Sequence, residues 1–273
     1  MNKNNLTIIC TCDEEYIPFT KIFISSLAQN TKNINLHCRL INCPETAGDD
    51  LRHIFPNTYV QHDNRELCAK RKHLSKEGVL LHEQLLDSDS KTRKYRGARW
   101  LFSDKMAYCS NIKYNTINHL LNEGFKYLLY MDVDAIVRKD LSSLATIISE
   151  NDITIRLDKI GNSIRPITEP GGVLYHCGQI GITNNIRTKM FFKEVEERTN
   201  TDLYDWDADQ IEFYNVAKKM EREIDIFNMP VTYKDEGTLD VPKTFNSESH
   251  IWCGAASVKY SNKDYLDECE RYE

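Results

Sequence analysis

Two aspartates separated by one residue, Asp132-Val-Asp134, directly follow the apolar run from Lys126 to Met131. A short continuous run of this kind is the pattern of a strand buried on both faces. In extended geometry residues two apart point to the same side, so both carboxylates can converge on one point. Side by side they repel unless a cation lies between them. Mg²⁺ or Mn²⁺ suits such a pair, because a hard cation is commonly held by one or two carboxylates and completes its shell with phosphate oxygens. The competing reading is a polar loop in which Asp132 caps the next helix and Asp134 faces water. The buried strand ahead of the pair favours the metal.

The pair needs a scaffold, and the pattern on either side supplies one. Leu6 to Cys12 is a strand-sized apolar run. A helical pattern follows it, with Pro18 in the first turn and Ile17, Ile22, Phe23, Ile24 and Leu27 as its apolar positions. Asn35 to Cys43 and Thr58 to His62 read as a second and third strand. A strand-helix-strand opening of this sort predicts a parallel sheet with right-handed crossovers. Ser103 to Leu121 is an amphipathic helix ended by Gly124. Beyond the acid pair the pattern predicts a helix over 141–149 and strands over 153–157 and 173–183. Helices over 187–198 and 208–219 follow, with short strands near 224–227 and His250. The segment after Asp63 has poor periodicity and reads as helix and loop. The sum is an α/β fold with a mostly parallel central sheet flanked by helices, in which ligands sit at the carboxyl ends of the strands.

The 273 residues carry only 11 glycines and 7 prolines, well scattered, and no stretch reads as a linker, so a single domain over 1–273 is expected. A net charge of −6 argues against nucleic-acid partners, which require a basic footprint. The basic run from Lys70 to Arg99 is a solvated face, or a mobile loop beside an anionic ligand or acceptor. No stretch approaches the roughly 18 apolar residues of a membrane span, so no integral membrane segment is expected. Nine cysteines, odd in number and free of CxxC pairs, fit packed thiols in a reducing, cytoplasmic setting.

The acid-pair strand, Tyr127-Leu-Leu-Tyr-Met-Asp-Val-Asp-Ala-Ile-Val137, resembles the D-x-D strand of the GT-A glycosyltransferases, especially family eight, the glycogenin-like and galactosyltransferase-like group. Thr11-Cys-Asp-Glu-Glu-Tyr16 with Ser25-Ser-Leu27 is similar to that family's opening T-x-[DN]-x-x-Y…S-L. The resemblance implies a GT-A fold whose residues 1–134 hold the nucleotide and 135–273 the sugar and acceptor. It implies a nucleotide-diphosphate sugar as donor, UDP-linked, and Mn²⁺ or Mg²⁺ as cofactor. The acceptor would be a carbohydrate, a protein or a lipid-linked molecule, and transfer would proceed with retention. Thr11, Asp13 and Tyr16 are implied contacts for base and ribose. Asp209-Gln210 resembles the family's D-Q pair facing the transferred sugar, and so the catalytic residues are Asp209 and Gln210. His250-Ile-Trp-Cys-Gly254 with Lys259 is similar to the late H-x-x-G-x-x-K. There His250 would be the third metal ligand beside Asp132 and Asp134, Gly254 would admit the diphosphate and Lys259 would pair with it. The spacing departs from the family's, with Gly254 one residue late and Lys259 three. Lys113 stands where the family places a lysine that reaches the donor. Tyr175-His-Cys-Gly178 corresponds to F-N-[SA]-G, which puts His176 where an asparagine touches sugar or diphosphate.

Two other classes share parts of this pattern. Haloacid-dehalogenase-like phosphatases begin with a strand and D-x-D-x-[TV], but Ile136 occupies the Thr/Val place and no later acidic pair completes that site. A non-catalytic nucleotide-sugar-binding module on the same scaffold would show lost metal ligands, whereas both aspartates and a histidine are present.

Overall fold

The computed structural model describes residues 2–67, 71–75, 80–84, 98–159, 173–201, 208–237, 245–254 and 258–273. Strand β1 (Leu6–Asp13) is buried along its whole length. Cys10 and Cys12 point to one face of the sheet and Ile9 to the other. A single 3-10 turn (Glu14–Tyr16) leads into α1 (Ile17–Asn30), which takes Pro18 in its first turn. Strand β2 (Asn35–Ile41), helix α2 (Glu45–Ile54) and strand β3 (Thr58–Asp63) follow. Both added strands run parallel to β1, with Cys10 opposite Cys38 and Cys38 opposite Val60.

Three antiparallel strands then form a separate small sheet: β4 (Arg71–Ser75), β5 (Leu80–Gln84) and β6 (Ala98–Ser103), in the order β5-β4-β6. This corrects the helix-and-loop reading of the basic stretch. Strand pairing there is settled by cross-strand partners distant in sequence, which local periodicity does not register. The side chains of the basic run lie outside the described residues.

Helix α3 (Asp104–Asn122) starts at a Ser103 cap whose hydroxyl accepts from the Met106 N–H. Strand β7 (Tyr127–Met131) pairs parallel with β1. Then come β8 (Ala135–Val137), α4 (Ser142–Glu150), β9 (Ile153–Lys159) and β10 (Val173–Thr183). Helices α5 (Ile186–Thr201) and α6 (Ala208–Lys219) and strand β11 (Ile226–Asn228) lead to β12 (Ile251–Cys253), α7 (Val258–Ser261) and α8 (Lys263–Cys269). The main sheet has the order β11-β9-β10-β7-β1-β2-β3, with β10 antiparallel to both its neighbours and the other pairs parallel. Helices α1, α2 and α4 pack on one face through Phe23, Leu27, Leu51 and Ile148. Helices α3, α5 and α6 pack on the other through Tyr114, Phe191, Phe192 and Phe213. Among the described residues no helix is long and apolar enough to cross a membrane, and the described cysteines are free thiols.

Candidate active site

From β1 the chain moves outward to β2 and β3, then returns on the other side of β1 at β7. The crevice between the carboxyl ends of β1 and β7 is therefore the switch point at which open α/β sheets bind ligands. Asp13 ends β1 and Asp132 follows β7. The acid pair itself is not extended. Ala135 N–H donates to the Asp132 carbonyl at 3.2 Å, closing a turn, and Asp132 N–H donates to the Gly178 carbonyl of β10 at 2.8 Å. A tight turn, rather than strand alternation, brings the two carboxylates to the crevice. The Tyr130 hydroxyl donates to Asp132 Oδ1 at 2.9 Å and also touches Thr11 Oγ1 at 3.2 Å. Burial pushes the Asp132 carboxyl above the ordinary carboxylate range; Lys113 pulls it back and Asp134 adds to the rise.

Three buried ammonium groups surround the pair. Lys113, on α3, donates to Asp209 Oδ2 at 2.8 Å and to the Cys177 carbonyl at 3.2 Å. Lys259, on α7, donates to Asp134 Oδ2 at 2.7 Å and to the Tyr16 hydroxyl at 3.1 Å, with its Nζ 4.6 Å from the Tyr16 ring centroid. Burial works against the charge of Lys259, yet Asp134 and Tyr16 hold it above the ordinary lysine range. The third, Lys234, pairs with Glu236 Oε1 at 3.0 Å. No sequence motif marks Lys234 or Glu236. They belong to the polar stretch Lys234-Asp-Glu-Gly237, whose composition reads as an exposed turn.

Two glycines let backbone close in on the pair. A Cβ on Gly178 would collide with Asp132 Oδ2 and lie 3.2 Å from Lys234 Nζ. A Cβ on Gly254 would lie 2.7 Å from the Tyr265 ring and 2.8 Å from Lys259 Cβ. Because Gly254 has no side chain, its N–H reaches the Asp134 carbonyl at 2.7 Å, and the Tyr265 hydroxyl donates to the same carbonyl at 2.7 Å.

Asp209 opens α6, and its Oδ1 accepts from Gln210 N–H at 2.8 Å. Gln210 Oε1 is buried without a hydrogen-bond partner, as is Asp13 Oδ1, whose other oxygen pairs with Lys105 at 3.0 Å. Both are acceptors that a bound ligand could satisfy. His176 turns away from the acid pair toward Asp158 Oδ2, at 2.8 Å from its Nε2.

His250, expected as the third metal ligand, also stands apart from the acids. In the ribbon of β8 and β12, Cys253 faces Ala135 and Ile251 faces Val137. His250 thus lies four positions from Asp134 along the ribbon, roughly 13 Å at the strand rise. Its Nδ1 hydrogen-bonds the Asp140 carbonyl at 2.9 Å, and its ring packs on Tyr233. The extra residue between His250 and Gly254 explains this, since a one-residue shift in a strand turns a side chain to the other face. Among the described residues no group of three His, Cys, Asp or Glu side chains could hold a metal ion. Asp132 and Asp134 alone fit a divalent cation that draws its remaining ligands from donor phosphates and water.

The family model for glycosyl transferase family 8 matches residues 7–172, more than half of the chain. The chain belongs to glycosyl transferase family 8. No curated protein matches it. Solved structures of similar fold include the bifunctional glycosyltransferase WbbM, with a TM-score of 0.57 and 12% identity over 98% of this chain and 50% of that one. The galactosyltransferase LgtC, solved with donor and acceptor sugar analogs, gives a TM-score of 0.56 at 10% identity, covering 97% of this chain and 96% of that one. The glycosyltransferase GlyE of Streptococcus pneumoniae TIGR4 gives 0.53 at 13% identity, over 97% and 60%. This chain therefore spans about half of WbbM and three fifths of GlyE. The mostly parallel central sheet with flanking helices matches the GT-A fold of these neighbours.

Proposed function

We propose that this family 8 enzyme transfers a sugar from a UDP-sugar to an acceptor hydroxyl in a metal-dependent, retaining reaction. The observation that carries the reading is the acid pair ringed by three buried ammonium groups at the carboxyl ends of β1 and β7. Asp13 Oδ1, Thr11 and Tyr16 lie at the β1 end, where base and ribose would rest. A cation held by Asp132 and Asp134 would add positive charge to the departing diphosphate. Among the described residues Asp132, Asp134, Asp209 and Glu236 lie beside Lys113, Lys234 and Lys259, with His176 against Glu236, and a donor's phosphates would add further negative charge. Lys259 sits on Asp134 until phosphate oxygens offer it a new partner. Lys113 fixes Asp209 in place. The Asp209 carboxylate and the unpaired Gln210 Oε1 would then face the positive charge that develops on the sugar ring. In retention the acceptor attacks from the face that the nucleotide leaves.

The test is a panel of nucleotide sugars with Mn²⁺, scored for donor hydrolysis and thermal shift, with Asp134→Ala alongside. Turnover of a UDP-sugar that is lost in the variant and in excess EDTA is expected. Full activity in EDTA would remove the metal, and an inverted anomer by NMR would remove retention. Donor binding without turnover would leave a nucleotide-sugar-binding module.

A further inference from the structure

Lys234 belongs to none of the motifs above, yet its ammonium lies within the site. It follows the 3-10 turn Val231–Tyr233, its N–H donating to the Val231 carbonyl at 3.0 Å. Its side chain is 7% exposed. The Nζ stands over Gly178 beside Asp132 Oδ2, since a Cβ built on that glycine would crowd both atoms. Among the described residues its one ion pair is with Glu236. Glu236 Oε1 faces His176 Nδ1 at 3.6 Å, and His176 Nε2 is fixed by Asp158, which Arg156 holds at 2.9 Å. A file of polar contacts thus runs from Arg156 through Asp158, His176 and Glu236 to Lys234 and ends at the acid pair.

Burying an ammonium is costly unless its N–H groups are met. Glu236 meets one of three donors. Reaching past Glu236, whose side chain is 31% exposed, toward Gly178 also sets the ammonium against the Asp132 carboxylate, a group that the proposed function gives to a cation. The depth of the lysine has a use if an anion passes over that glycine, the point on β10 with no side chain in the way. Lys259 approaches the pair from the Asp134 side and Lys234 from the Asp132 side.

We propose that Lys234 is a donor-binding residue, taking an oxygen of the donor diphosphate from the Asp132 side while Glu236 holds its side chain there. The assignment rests on the nucleotide-sugar reading above. The test compares wild type, Lys234→Gln and the double variant Lys234→Gln/Glu236→Gln by calorimetry in Mn²⁺, with melting temperatures. The titrant is whichever of UDP, GDP, ADP and CDP the wild type binds most tightly. A charge-assisted contact predicts a loss in diphosphate affinity of roughly ten- to a hundredfold in both variants. The double variant, which removes both members of the Lys234–Glu236 pair together, should melt close to wild type and carries the test if the single variant unfolds. A double variant that binds the diphosphate as wild type does would reduce Lys234 to a counter-ion for Glu236 and overturn the proposal. A wild type that binds none of the four would overturn the donor reading itself, and Lys234 with it.

Discussion

Gly178→Ala should disable this enzyme without unfolding it. The glycine does not have positive φ, so alanine is allowed by the backbone, and the stiffer unfolded chain favours folding by about 0.4–1 kcal/mol. The obstacle is the Asp132 carboxylate, whose Oδ2 would overlap the new methyl group while its Cγ lay 3.2 Å away. Ordinary carbon contacts lie at about 3.5 Å or beyond, so the carboxylate must move by on the order of 1 Å. It has little freedom to do so gently. Oδ1 is held by the Tyr130 hydroxyl, and the Asp132 N–H is bonded to Gly178 itself. Misplacing a working group by that distance costs roughly 10²-fold in rate, about 2.7 kcal/mol of transition-state stabilisation. The assay is kcat/KM for donor hydrolysis, read beside Mn²⁺ affinity in the presence of nucleoside diphosphate and the melting temperature. A hundredfold loss of kcat/KM and weaker Mn²⁺ binding at near-native melting temperature are expected. A fully active alanine variant would refute the claim that Asp132 works from the position seen here.

Three further outcomes are expected. Asp134→Ala should weaken Mn²⁺ binding by at least roughly ten- to a hundredfold, while His250→Ala leaves it nearly unchanged; equal losses in a calorimetric titration would restore His250 as a ligand. Asp63→Asn should destabilise the fold by about 3 kcal/mol, because Arg39, only 5% exposed, would lose the carboxylate that accepts from its Nε at 2.8 Å and Nη2 at 2.6 Å. Burial alone would raise the Asp63 carboxyl, but Tyr108, Arg65 and Arg39 hold it below the ordinary range. Its contribution is therefore in place above the unfolded value near 3.9 and is lost as pH falls through the lower folded value. Urea unfolding of wild type across that window should show the loss, and the Asn variant should not. Tyr265→Phe should cost about 1 kcal/mol and lower turnover several-fold, since the Asp134 carbonyl keeps its bond from Gly254; unchanged kinetics would show that the carbonyl needs no second donor.

The elements that local pattern specifies were legible. Strand β10 over 173–183 and helix α6 over 208–219 have the limits expected from sequence, because each carries its own periodicity. Helix α2 was not anticipated. Its centre is Gly48-Asp-Asp50, and only Ala47, Gly48 and Leu51 turn inward. The small sheet of β4, β5 and β6 depends on partners as distant in sequence as Arg71 and Ser103. In the site, Lys259 bonds Asp134 and Tyr16, and Lys113 bonds Asp209. The misplacement of His250 was foreshadowed by its irregular spacing from Gly254. Lys234 and Glu236 had no such signal, because a polar tetrapeptide is buried or exposed only by what packs over it.

The grip on the Asp134 carbonyl has a consequence for how the enzyme is handled. Tyr265 belongs to the final helix, and Glu268 one turn on braces Arg138 just beyond β8. Residues 258–273 thus form a wedge driven behind the reaction centre. Trimming them would slacken the acid turn from the rear and, in the same cut, take Lys259 out of the crevice at the front.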